Sequence, residues 1–76
     1  MFFDEKVVNE FPWKSSRTPN YQCRISIRKG REGTRNVYID ALDPATGNIT
    51  KGIYFRSHEL PDLLATLQKA NELLNG

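Results

Sequence analysis

Three stretches of the chain alternate in polarity, and a fourth repeats with a longer period. Tyr21, Cys23, Ile25 and Ile27 interleave with Gln22, Arg24, Ser26 and Arg28, so each set lines one face of a strand. Val37, Ile39 and Ala41 alternate in the same way with Asn36, Tyr38 and Asp40. A further strand near Ile49 to Arg56 sets Ile53 and Phe55 against Tyr54 and Arg56. Beyond it the period becomes helical: Leu60, Leu63, Leu64, Leu67, Ala70 and Leu74 form one stripe. Ser57 is placed to cap that helix, Pro61 falls in its first turn, and Asn75 with Gly76 makes a suitable stop.

The connecting segments have turn chemistry. Lys29 to Thr34 contains two glycines, and Asp43-Pro44-Ala45-Thr46-Gly47-Asn48 puts Pro44 where a turn wants a fixed φ and Gly47 where a left-handed residue is needed. Ser15 to Asn20 has the composition of a loop. Upstream of it, Phe11-Pro12-Trp13-Lys14 predicts a short first strand, which Pro12 confines to an edge or to a strand start. Residues 1–10 show no period and are expected to be a loosely ordered tail, with Phe2, Phe3, Val7 and Val8 available to cover an edge. The expectation is therefore an α+β domain over residues 11–76. It is a four-stranded antiparallel meander sheet followed by one C-terminal helix (β-β-β-β-α), the helix covering one face of the sheet.

Size changes this picture by adding a partner. A chain of 76 residues buries only about 60% of the surface its unfolded form exposes, and such domains lean on disulfides, metals or oligomerisation. Cys23 is the single cysteine, so no intrachain disulfide forms, and it lies too far from the lone His58 for the usual zinc spacing. Oligomerisation remains. Leu60, Leu63, Leu64, Leu67 and Leu74 offer more apolar surface than one small sheet needs, which predicts a homodimer closed by part of the stripe. The start Met1-Phe2-Phe3-Asp4-Glu5-Lys6 is too short and charged for a signal peptide, and no long apolar run occurs. A cytoplasmic location without membrane association is expected.

The formal net charge of +2 hides a segregation. Between Phe11 and Arg56 nine cations face three acids, whereas the two ends together carry six acids and two lysines. Strand parity puts Arg24, Arg28, Tyr38, Tyr54 and Arg56 on one side of the sheet. Lys29, Arg31 and Arg35 fall at its turn, Lys51 at the start of the fourth strand, and Trp13 and Lys14 join if the first strand pairs with the second. Cations hold phosphates and aromatic rings stack on bases, so this surface suits a single-stranded nucleic acid. Duplex DNA hides its bases and would leave the tyrosines unused.

No catalytic set emerges, and no cofactor or metal is expected. His58 lies at a helix start without a cysteine or serine partner, and Cys23 falls on the apolar face. Asp40 is expected to pair with an arginine of the sheet and Asp43 to open a turn, because a hard cation needs several oxygen ligands. The segment from Lys29 to Gly33 has neither the spacing nor the following helix of a phosphate loop.

Several short motifs, in order, resemble the single-stranded DNA-binding domain of the transcriptional coactivator positive cofactor four and its bacterial and phage relatives. The resemblance spans roughly Tyr21 to Leu74. Ser26-Ile27-Arg28 is similar to that family's Ser-Val-Arg strand ending, and Val37-Tyr38-Ile39-Asp40 to its Val-Leu-Ile-Asp strand. Asp43-Pro44 followed by Gly47, and then Lys51-Gly52-Ile53, are similar to its Asp-Pro-x-Gly hairpin and its Lys-Gly-Ile. The resemblance implies a homodimer with paired helices at its centre and two curved sheets holding DNA strands. It makes Arg28 and Lys51 backbone contacts and lets Gly52 permit close approach. The family's arginine after the third-strand aspartate is replaced here by Ala41-Leu42, and its basic cluster before Lys-Gly-Ile is reduced to Lys51. Tyr38, Tyr54 or Trp13 would then substitute.

The expected function is sequence-nonspecific single-stranded DNA binding in transcription, replication, recombination or repair, with proteins of those processes as further partners. It would act in the cytoplasm or on the nucleoid (the host cytoplasm for a phage protein). A single-stranded RNA or Pur-type binder is one alternative. A protein-interaction module whose basic sheet docks an acidic partner is another.

Overall fold

The computed structural model describes residues 5–14, 20–30 and 33–76, with Lys51 described in its backbone only. Four antiparallel strands run in the order of the chain: β1 (Glu5–Pro12), β2 (Gln22–Lys29), β3 (Arg35–Leu42) and β4 (Ile49–Arg56). A short 3₁₀ turn, Ser57–Glu59, leads into one helix, α1 (Leu60–Asn75). The architecture is α+β, a meander sheet followed by a C-terminal helix. None of the described helices is long and apolar enough to cross a membrane.

The alternating sequences become β2, β3 and β4 because period two sends the apolar and polar rows of each strand to opposite faces of the sheet. Register fixes the rows: Cys23 lies opposite Ala41, Ile25 opposite Ile39, and Ile27 opposite Val37. Ile39 and Val37 in turn face Ile53 and Phe55. The β3–β4 connection is held by its own side chains. Asp43 accepts from Ala45 N at 3.0 Å and from Thr46 Oγ1 at 3.1 Å, while Gly47 takes φ 76° as its position requires.

The first strand is a correction. It runs over Glu5–Pro12 rather than Phe11 to Lys14, so residues 5–10 belong to the sheet and not to a tail. A β-bulge at Val8 explains the missing period: Val7 pairs with Ser26 and Asn9 with Ile25, leaving Val8 as an extra residue. Alternation restarts after it. Every residue of this edge strand is also exposed, so no apolar row marks it.

The helix is a second correction. It packs against the 3₁₀ turn but scarcely touches the strands, and none of its residues is buried. Asp62, Leu63 and Thr66, with Glu59 of the 3₁₀ turn, border a cavity of about 300 Å³ against Phe55. Ser57 does not cap the helix through its side chain. Instead the Glu59 carboxylate accepts from Arg56 N at 2.9 Å, closing the entry turn. The apolar face of the sheet is therefore not covered by α1. Among the described residues Cys23 is the single buried apolar side chain, whereas Ile53, Leu64 and Leu67 are each more than half exposed.

Candidate functional site

The polar face of the sheet carries more internal order than its apolar face. Register aligns Val7, Ser26, Tyr38 and Tyr54 across all four strands, and next to them Glu5, Arg28, Asn36 and Arg56. Two cross-strand neighbours on one face come within side-chain reach. Tyr38 and Tyr54 accordingly stack, with ring centroids 5.4 Å apart and planes inclined by 26°. The Arg28 guanidinium lies over the Tyr38 ring, 4.5 Å from its centroid, where the ring quadrupole attracts it. Tyr54 keeps 52% of its surface open. The result is a layered stack whose outermost ring faces solvent.

Beneath this stack Asp40 anchors two elements. It is 2% exposed, forms an ion pair with Arg28 Nη2 through Oδ2, and accepts from Gly52 N at 3.0 Å through Oδ1. The second bond repairs a bulge. Ile39 pairs with Ile53 and Ala41 with Thr50, so the single residue Asp40 stands opposite both Lys51 and Gly52. A side chain at Gly52 would collide with the Ile39 carbonyl oxygen, which explains glycine there. Arg28, Tyr38, Asp40, Gly52, Ile53 and Tyr54 border a shallow cavity of about 340 Å³.

The arginines on this face do not stand alone. Arg28 Nε lies 2.8 Å from Glu5 Oε2, and Arg24 Nε 3.3 Å from Glu10 Oε1. Both contacts are ion pairs without hydrogen-bond alignment, and Ser26 Oγ is buried between the two arginine positions with no hydrogen-bond partner. Sequence reasoning anticipated that Asp40 would pair with an arginine. It missed Glu5 and Glu10, which lie in the segment read as a tail.

The structure gathers Arg24, Arg28, Tyr38, Tyr54 and Arg56 on one face, as strand parity indicated. Lys29 and Arg35 do not join them. They pair with each other at the ends of β2 and β3 and share the parity of Ile27 and Val37, so they sit on the apolar side. Trp13 and Lys14 follow the end of β1, where Trp13 N donates to Tyr21 O at 3.0 Å. They border a separate cavity of about 290 Å³ with Asn20 and Tyr21. That corner lies four strand residues from the Ser26–Tyr38–Tyr54 row, about 13 Å at the rise of a strand. Arg31 and the side chain of Lys51 lie outside the described residues.

Cys23 is a free thiol on the apolar face, and burial, followed by the Asp40 carboxylate, raises it above its ordinary pKa. At neutral pH it is a protonated small hydrophobe. Among the described residues no group of three or more His, Cys, Asp or Glu side chains is placed to hold a metal ion.

The arrangement offers an open aromatic ring backed by a second ring and a cation, with a shallow concavity beside it. Comparison of the chain with family models, with characterised proteins and with solved structures found no match.

Proposed function

We propose that the protein is a non-catalytic, homodimeric binder of single-stranded nucleic acid, using the polar face of its sheet without reading sequence. The observation that carries this is the stack of Arg28 on Tyr38 on Tyr54, with the outer ring half open beside a cavity of about 340 Å³. A base has two π-faces and no need of a particular edge to stack, and each stacked base contributes about 1–3 kcal/mol. Arg56, exposed in the adjoining row, supplies a cation for the phosphates.

The uncovered apolar surface supports the dimer. Ile53 at 58% exposure and Leu64 and Leu67 at similar values are more than a stable monomer of this size leaves in water. A second copy supplies the missing cover with the same chemistry, and the described residues include no other element that could. The short-motif resemblance to the positive cofactor four family agrees with this reading of both face and dimer. It would place the protein in the cytoplasm or on the nucleoid, in transcription, replication, recombination or repair.

The test is a titration of labelled oligo-dT, its RNA counterpart and a duplex of equal length at one salt concentration. Single strands are expected to bind more tightly than duplex, because the ring face can be used only by an unstacked base. Equal or negligible affinity for all three would refute the proposal. Preference for the RNA strand would change the substrate and leave the mechanism.

A further inference from the structure

We propose that Glu5 and Glu10 of β1 act as a built-in competitor for the nucleic-acid backbone, occupying Arg28 and Arg24 until phosphates displace them. The inference rests on the single-strand reading above and specifies how that site is restrained.

Geometry sets these acids apart from ordinary surface charge. Glu5 and Glu10 are five residues apart, and in an uninterrupted strand they would point to opposite faces. The bulge at Val8 shifts the register by one, so that Glu5 lies opposite Arg28 and Glu10 opposite Arg24 on the same face. Bulges re-aim side chains, and this one delivers two carboxylates to the two arginines of β2. The contacts measure 2.8 Å and 3.3 Å.

Exposure separates these acids from the third. The Asp40 side chain is 1% exposed, and it also holds Gly52 N, so its hold on Arg28 is part of the fold. Glu5 and Glu10 are 45% and 34% exposed and reach the arginines from the solvent side of an edge strand. Ion pairs of that exposure are weak enough to exchange with a phosphate. A phosphate arriving at Arg24 or Arg28 takes the place of a carboxylate, and the released glutamate then repels the strand. Affinity is thereby held down.

The double variant Glu5→Gln/Glu10→Gln is the test, with Asp62→Asn/Glu72→Gln on α1 as a control of equal charge change. Oligo-dT and inorganic polyphosphate, which has the charge but no bases, serve as probes. The β1 variant is expected to bind oligo-dT roughly three- to thirtyfold more tightly than the parent. The α1 control is expected to shift affinity by no more than about twofold, because the ion pairs described for Arg24 and Arg28 are to Glu10, Glu5 and Asp40 and to neither of its acids. Unchanged or weaker binding of both probes by the β1 variant overturns the inference, as does equal tightening by the control. Failure of the single-strand reading looks different: the variant would gain on polyphosphate while oligo-dT bound no better than polyphosphate. Far-ultraviolet circular dichroism checks the fold, and the single variants Glu5→Gln and Glu10→Gln carry the same test should the double one unfold.

Discussion

Replacing Tyr54 with alanine will weaken oligo-dT binding by roughly five- to 150-fold, the equivalent of about 1–3 kcal/mol for one stacked base. Tyr54 is the outer member of the stack and is 52% exposed, so truncation removes the platform without opening a core. Tyr54→Phe is expected to stay within about twofold of the parent, because stacking uses the ring face and not the hydroxyl. Fluorescence anisotropy on the pair of variants is the measurement. Similar losses for both would shift the contact from the ring to the hydroxyl, and no loss for alanine would take Tyr54 out of the site.

Arg28 is the poorer probe, although its cation and central position invite mutation. Removing it would leave the Asp40 carboxylate buried with Gly52 N as its remaining described partner. Stranding one member of a buried pair costs about 3–5 kcal/mol, enough to unfold a small domain. A loss of binding in Arg28→Ala would therefore report on the fold as much as on the site. On the proposed reading Arg28 would act by holding Tyr38 in place as well as by charge.

The second large effect concerns the apolar side. The double variant Leu64→Glu/Leu67→Glu is expected to convert a dimer into a chain-mass species that has lost its cooperative urea transition. Each leucine removed from water stabilises by about 1.5–3 kcal/mol, and a carboxylate in its place opposes burial altogether. Both positions are more than half exposed within one chain, so an isolated monomer would tolerate the change with little loss. That contrast makes the experiment decisive. Light scattering should give twice the chain mass for the parent and the single mass for the variant. A parent that is monomeric and cooperatively folded would refute the dimer.

The parts of the fold that were legible in the sequence are those where a single physical rule acts alone. β2, β3 and β4 were legible from period two because each separates a polar from an apolar row. The turn after β3 was legible because Asp43 and Gly47 satisfy specific backbone needs. β1 was not, since the Val8 bulge resets the alternation and leaves Glu5–Pro12 without a readable face. The leucine stripe of α1 was visible, but periodicity states which face is apolar and not what meets it. The candidate site was legible in its aromatic and cationic members, because parity places Arg28, Tyr38 and Tyr54 together. Its restraint by Glu5 and Glu10 was hidden, as it depends on the pairing of a strand whose register only the bulge defines. Lys29 and Arg35 were read by their nearness to a turn, whereas their parity sends them to the other side.

The central claim is that a single strand lies on the polar face with a base against Tyr54, and photo-crosslinking tests it most directly. An oligonucleotide carrying 5-bromodeoxyuridine would be irradiated with the protein and the adducts mapped by mass spectrometry. Adducts on Tyr54, with Tyr38 as the next most labelled position, are the predicted result. Adducts confined to α1 or to the apolar face of the sheet, or no single-strand adduct at all, would contradict it.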